Sequence, residues 1–264
     1  FMVDRDGKKM SKSGDNALEL EELLKDVGAD VCRWWVSSLA FENDIRVDLE
    51  LFQLAGESYR KVRNTLRYLL SNIDPETPDL NIEEVPGHTL DAWLLARCEE
   101  LRVFVCESLK SYEFRKAHLA LFDFCNDTLS SMYCVAMKDR LYCDPASSTR
   151  RVRSQAVMRH VAEQLCKLLA PILPHTADEA WRAMHGDEEC VHLEAISATP
   201  TVEVDPGWDR AMLLRDEALR ALEQAKETGV EKSLDAGLIL PEADQNLEAL
   251  GEDLKDLMEV SRLT

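Results

Sequence analysis

The sequence predicts a mainly α protein, and three observations predict it. From Leu49 to Ile73 the apolar residues Phe52, Ala55, Tyr59, Val62, Leu66 and Leu69 recur at alternating spacings of three and four, the period of a helix with one buried stripe. Stretches of the same character run over 90–112, 114–141 and 151–169, separated by short polar segments. The 10 glycines are widely spread, the closest pair being Gly7 and Gly14, so no Gly-x-Gly-x-x-Gly turn is present to open a nucleotide-binding α/β unit.

In chain order, residues 17–27 predict a short helix with Asp15 or Asn16 as N-cap and Gly28 at its end, then an aromatic-rich helix near Val31 to Leu39. The long helix from Leu49 ends at a loop marked by Pro75, Pro78 and Pro86, because proline lacks a backbone donor and disfavours helix before it. The three helices that follow lead to Pro171 and Pro174, which break the chain before a shorter helix over 176–184. Helices joined by such loops imply an antiparallel, up-and-down bundle, with Trp93, Phe122, Phe124, Tyr133 and Trp181 packed in its core. His175, after Pro174, reads as a capping or packing residue. Past Gly186 the pattern changes to an acidic connection, a helix over 208–228, a strand-like 236–240, a helix over 244–254 and a strand-like 257–263, which makes a small α+β junction. The expected division is 1–46, 47–186 and 187–264.

Composition narrows the function. With 45% apolar and 31% charged residues, the chain is no disordered polymer. Its longest stretches without a charged residue, 128–137 and 168–177, fall far short of the roughly 20 apolar residues of a membrane-spanning helix. The net charge of −19 argues against indiscriminate nucleic-acid binding, and the acidity is concentrated in residues 186–264, which carry 7 basic and 20 acidic side chains. RNA contact from that part must therefore be local. The eight cysteines lack the Cys-x-x-Cys and Cys…His-x-x-x-His spacings of zinc sites, so no metal site is expected, and reduced thiols in a cytoplasmic compartment fit them. The N-terminus has no basic end followed by an apolar stretch, and a start at Phe1 suggests a fragment.

The segment Asp6-Gly7-Lys8-Lys9-Met10-Ser11-Lys12-Ser13-Gly14-Asp15-Asn16 carries the chemistry. Three lysines and two hydroxyls between two glycines suit a loop that closes over polyphosphate, since ammonium groups follow charge on a leaving pyrophosphate and hydroxyls add hydrogen bonds. The string Lys9-Met10-Ser11-Lys12-Ser13 resembles the signature loop of class I aminoacyl-tRNA synthetases. The resemblance continues through Val27-Gly28-Ala29-Asp30, Arg33-Trp34-Trp35-Val36-Ser37-Ser38, Glu42-Asn43-Asp44-Ile45-Arg46, the stretch Ser58 to Leu70, Lys138-Asp139-Arg140-Leu141-Tyr142, and Leu168 to Trp181. In sequence and order these resemble the isoleucyl branch, with the valyl branch the nearest rival.

This resemblance implies a C-terminal fragment of a ligase that activates isoleucine with ATP and Mg and passes it to tRNA(Ile), acting as a cytoplasmic monomer. It implies that Lys12 contacts ATP, with Lys9, Met10, Ser11 and Ser13 in support, and that residues 47–186 bind the anticodon stem. The loop departs from the family pattern, since glycine follows Ser13 directly as Gly14 and brings Asp15 close. The chain contains no His-Ile-Gly-His string, so alone it is expected to be inactive. A stand-alone tRNA-binding helical module is the other reading.

Two arginine groups are the candidate RNA contacts. Arg60, Arg63 and Arg67 fall within about 60° of one another on the long helix, beside Tyr68, and make one positive edge that could grip phosphates while the tyrosine stacks on a base. The alternative is a solvated or salt-bridged face. Arg150, Arg151 and Arg153 stand where a helix begins, against its dipole by roughly 0.3–1 kcal/mol per group, so phosphate contact or pairing with the acidic tail must favour them.

Overall fold

The computed structural model describes residues 1–11, 13, 19–75, 80–227 and 236–263. It divides into two compact units: one of Phe1–Ser71, Leu101–Asn126 and Ala162–Ser197, the other of Asn72–Glu100, Asp127–Val161 and Ala198–Thr264. Both are mainly helical, as the periodicity predicts.

In the first unit, β1 (Met2–Val3) pairs in parallel with β2 (Ile45–Arg46). These two-residue strands are too short to leave a sequence signal. Between them lie α1 (Leu20–Val27) and α2 (Ala29–Ser37), separated only by Gly28. Gly28 closes α1 as expected, and its φ of 85° is open to glycine at no steric cost. The proposed N-caps Asp15 and Asn16 lie outside the described residues. The long helix α3 (Leu49–Asn72) buries Phe52, Val62, Leu66 and Leu69, the stripe read from the sequence. Leu23, Trp35, Val47 and Phe52 form a small core, with Trp35 and Phe52 rings 4.4 Å apart.

Next come α4 (Leu90–Lys110) and α5 (Phe114–Asp123). The helix expected over 114–141 is not uniform: α5 widens into π-helical turns over Phe124–Tyr133, then α6 (Cys134–Ala136) and α7 (Lys138–Tyr142) follow. Two carbonyls of the wide region have outside donors: Thr65 Oγ1 reaches Cys125 O at 3.2 Å, and Arg215 Nη2 reaches Ser131 O at 3.0 Å. Such insertions are a known cause of broken i to i−4 ladders. The helices α8 (Thr149–Leu169) and α9 (Pro174–His185) flank the proline corner. Of the aromatics assigned to the core, Trp93, Phe124, Tyr133 and Trp181 are buried, whereas Phe122 is half-buried.

The C-terminal part of the second unit is the small α+β element expected. It contains α10 (Gly207–Glu227), then β3 (Gly237–Leu238), a 3-10 segment over Glu242–Leu250, α11 (Gly251–Met258) and β4 (Arg262–Leu263), the two strands pairing in parallel. The boundaries shift: residues 257 and 258 belong to α11 because Leu257 and Met258 face its core, and only 262–263 are strand. Gly87 carries a backbone close approach, since a Cβ there would stand 2.1 Å from Glu203 O. No helix among the described residues is long and apolar enough to cross a membrane.

Candidate functional site

The N-terminal segment builds its loop from a tight turn. Asp4 Oδ1 accepts from the amides of Asp6 and Lys8 at 3.0 and 2.9 Å, and Gly7 takes a φ of 79° where the chain reverses. Val3 then bridges Lys9 in antiparallel fashion, and Met10 N donates to Met2 O at 2.9 Å. Extended backbone alternates its side chains. Met10 therefore packs on the Leu23, Trp35, Val47 and Phe52 core while Lys9 and Ser11 stay exposed, with Lys9 Nζ 4.5 Å from the Phe1 ring centroid. Ser11 Oγ and Ser13 Oγ lie 3.5 Å apart. The methionine is thus the anchor of the string, with Lys9 and Ser11 on the exposed side. Lys12, Gly14 and Asp15 lie outside the described residues.

The arginine edge of α3 is set by its neighbour α9, and α9 is set by α2. The first turn of α9 has Leu173 as N-cap residue, which offers no side-chain acceptor. Its amide is capped instead from α2, where the buried Asp30 carboxylate accepts from Thr176 N at 2.7 Å and from Thr176 Oγ1 at 2.6 Å. Arg33, three residues on, donates to Ile172 O and Pro171 O at 2.9 and 2.7 Å. Tyr59 on α3 completes the arrangement, its hydroxyl 2.8 Å from Thr176 Oγ1. His175 itself is exposed, so the cap expected near it comes from a residue far away in sequence. In the same unit Trp34 is fully buried, donates to Ser58 Oγ at 2.9 Å and stacks 3.9 Å from the His118 ring. Burial pushes the His118 pKa down to about 4, so its imidazole is neutral.

With α9 so held, a groove opens between it and α3, lined by Arg63, Leu66, Arg67, Leu70, Thr176, Glu179, Ala180 and Ala183. Arg60 and Arg67 are exposed and make no ion pair among the described residues, while half-buried Arg63 stands 3.4 Å from Glu179. Tyr68 is half-buried. The expected positive edge is therefore a physical surface. Sequence reading missed Thr176, Glu179, Ala180 and Ala183, which the helical period puts on one face of α9; nothing local says that this face meets α3.

The second arginine group has different surroundings. Arg150 makes two hydrogen bonds to Asp144, at 2.6 and 2.8 Å, and Arg151 Nη1 donates to Asp144 O at 2.8 Å. Arg153 Nε donates to buried Asp91 at 2.6 Å, and its Nη2 lies 3.7 Å from Asp253. They border a cluster around Arg140, which is fully buried and donates to Ser154 Oγ at 3.0 Å, Asp253 at 2.8 Å and Asp256 at 2.6 Å. Asp91 also accepts from Tyr133 OH at 2.5 Å, and Asp253 caps the start of α4 through Leu90 N at 2.8 Å. Burial opposes the charge of Arg140, but Asp91, Asp253 and Asp256 outweigh it and raise its pKa, so the guanidinium stays charged. Burial raises the Asp256 pKa against the pull of the arginines. The pairing of Arg150 and Arg153 with Asp256 and Asp253 is the second of the two explanations for positive charge at this helix start.

No group of three or more His, Cys, Asp or Glu that could hold a metal ion occurs among the described residues. Four cysteines, at 98, 125, 134 and 166, are buried, and burial pushes the thiols of Cys134 and Cys166 up to about 12.

Comparison with known proteins places these features. Residues 91–240 match the family described as the anticodon-binding domain of tRNA ligase, and residues 1–48 match class I tRNA synthetases of the I, L, M and V group. The isoleucine–tRNA ligase of Bacillus cereus strain B4264 is 38% identical over 271 residues, covering 99% of this chain and 29% of that protein. The isoleucine–tRNA ligase 1 of Bacillus anthracis gives the same figures: 38%, 99% and 29%. The chain therefore spans 29% of the length of these curated relatives. A LeuRS from Agrobacterium radiobacter K84, solved in a ternary complex with tRNA and LeuAMS, shares the fold at a TM-score of 0.55 and 19% identity, over 75% of this chain and 23% of that one. With more than half its length matched, and its synthetase-type loop in order before the matched region, this chain belongs to the anticodon-binding-domain family of class I tRNA ligases.

Proposed function

We propose that this chain is the part of an isoleucine–tRNA ligase that carries the ATP-contacting loop and holds tRNA(Ile). One observation carries the reading: identity to isoleucine–tRNA ligases runs over 99% of the chain, loop and helices together, in one order. In the longer protein, isoleucine would be activated with ATP and Mg and passed to tRNA(Ile) in the cytoplasm. Lys12 would contact ATP, and Lys9, Ser11 and Ser13 would add charge and hydrogen bonds around it, with Met10 fixing the loop to the core. The division 1–46, 47–186 and 187–264 assigns loop, anticodon-stem bundle and junction in turn. By itself the chain is a monomeric binding module without isoleucine-dependent ATP–pyrophosphate exchange, because the loop is one side of a site that needs more groups around the reacting phosphate.

The tRNA contact is assigned first to Arg60, Arg63 and Arg67 with Tyr68, since Arg60 and Arg67 are exposed with no ion pair among the described residues. Arg150, Arg151 and Arg153 are the secondary candidates, each already engaged with Asp144 or Asp91.

Titration of the chain with a tRNA(Ile) transcript over a salt series tests this. Log affinity should fall as log salt rises, and replacing the three α3 arginines by alanine should flatten the slope by about 2–3 units, at roughly 0.7–0.9 per phosphate contact. Circular dichroism should be unchanged, because alanine is the better helix former and the buried stripe is intact. An unaltered slope in a folded triple variant would remove α3 from the interface and pass the role to Arg150, Arg151 and Arg153.

A further inference from the structure

We propose that Arg5 is a positioning residue for the lysine string: its guanidinium clasps Asp48 and Glu50 at the start of α3 and so fixes the direction in which the turn over residues 4–8 presents Lys8 and Lys9 to a polyphosphate. This rests on the reading of the string as a polyphosphate contact, and adds to it the device that aims it.

Backbone contacts fix the two stems of the turn and leave its tip to itself. Val3 pairs with Arg46 and accepts from Val47 N at 2.9 Å, Asp4 N donates to Lys8 O at 2.9 Å, and Met10 N donates to Met2 O at 2.9 Å. Within the tip, over residues 5–7, the amides of Asp6 and Gly7 both return to Asp4, at 3.0 Å each. Among the described residues, Arg5 is the one tip side chain with a partner outside the turn. Its Nε and Nη2 form a fork on the two oxygens of Asp48, with Nη2 to Oδ1 at 2.8 Å, and Nη2 also reaches Glu50 Oε1 at 3.2 Å. Asp48 stands immediately before α3 and accepts from Glu50 N at 3.2 Å, and its side chain is 18% exposed, so the helix it caps holds the carboxylate in place. Paired donors set an orientation as well as an attraction, and a fork on a fixed carboxylate therefore fixes the tip.

The fold divides the basic groups of this segment by task. Arg5 has its charge answered by two carboxylates, whereas Lys8, three residues on, is exposed and forms no ion pair among the described residues. Hydrogen bonds from Arg5 and then from the Glu50 amide hold the Asp48 carboxyl below its usual range, so the clasp is an ion pair at neutral pH. For Arg5 to serve as a phosphate ligand it would have to break three hydrogen bonds to these acids. A lysine in its place could carry the charge but not the fork. The clasp also leaves Asp48 and Glu50 occupied, so neither is open to draw Lys8 back onto the protein.

Calorimetric titration of inorganic tripolyphosphate into the chain tests the proposal by the sign of one substitution. Asp48→Ser keeps a capping residue before α3, is too short to reach Arg5, and removes a negative charge beside an anion site. Were Arg5 a phosphate ligand, or Asp48 only a nearby repulsion, this variant would bind tripolyphosphate more tightly. As the loss of a positioning clasp it should instead weaken binding about threefold, within the scale of an exposed ion pair. Arg5→Lys, which keeps the charge and loses the fork, should weaken binding to a similar degree. In both variants hydrogen exchange at the Met10 amide should quicken while the urea midpoint stays that of the parent. Lys9→Ala tests the string by itself and should weaken binding whatever the clasp does. Tighter or unchanged binding by Asp48→Ser, parent-like binding by Arg5→Lys, or a urea midpoint that falls with the affinity in both variants overturns the positioning role. If Lys9→Ala still weakens binding in that event, the string remains a polyphosphate contact without the clasp; no binding of tripolyphosphate by the parent removes both.

Discussion

Arg60, Arg63 and Arg67 on α3 and Arg150, Arg151 and Arg153 at the start of α8 look alike as sequence, and the structure gives them opposite surroundings. The α3 group sits in the middle of a helix, with one carboxylate, Glu179, within 4 Å of any of its guanidinium groups among the described residues. The α8 group sits where the helix dipole disfavours positive charge, and Asp144, Asp91, Asp253 and Asp256 gather around it. A positive cluster is available to a partner only when the fold leaves its charge unanswered. An unfavourable position such as a helix start is itself a hint that the fold supplies the answer.

The strongest way to break this contrast is to remove Arg140, the centre of the aspartates that hold the α8 group. Arg140→Ala leaves Asp91, Asp253 and Asp256 without their common cation and should cost about 3–5 kcal/mol, read as a fall in the urea midpoint. A loss below about 1 kcal/mol would mean that Arg150 and Arg153 carry the cluster without it.

Acid should distinguish the two units next. His118, neutral beside Trp34, has a folded pKa of about 4 against 6.5 when unfolded, so its contribution is complete above pH 6.5. As pH falls from 6.5 towards 4 the unfolded chain takes up a proton that the folded chain refuses, and stability declines by up to about 3 kcal/mol across that window. Denaturation at pH 7 and pH 5 should differ by about 2 kcal/mol more in the parent than in His118→Phe. Equal differences would show that His118 titrates alike in the folded and unfolded chain.

The arginines themselves give the smaller effects. Arg153→Ala exposes Asp91 to one lost partner while Arg140, Tyr133 and Ser154 remain, and should cost about 2 kcal/mol. Arg60→Ala and Arg67→Ala should each change stability by less than about 0.5 kcal/mol, as exposed residues without ion partners do. Equal costs at Arg153 and Arg67 in the same denaturant series would erase the distinction between the groups.

Much of this was legible because it is periodic. The stripe of α3 announces itself every third or fourth residue, and Val62, Leu66 and Leu69 are indeed its buried members. The lysine loop was legible as a string, though the part of Met10 was not, since its anchoring depends on a core formed by Trp35, Val47 and Phe52 further on. Arg140 was quoted only as part of a motif; its carboxylate partners lie 49, 113 and 116 residues away, and no local pattern records them. The same holds for Glu179, whose partner Arg63 is 116 residues away.

The cap that Asp30 places on α9 also has a consequence for synthesis. The carboxylate and Thr176 are 146 residues apart, so on a ribosome adding about 5–20 residues per second Asp30 waits on the order of ten seconds for the amide it serves. During that interval α2 can form beside α1, but the donors that satisfy its buried acid do not yet exist. The corner between α2 and α9 is therefore among the last parts of its unit to close, and variants at Asp30 or Thr176 should lengthen the time the nascent chain stays open to proteases and chaperones.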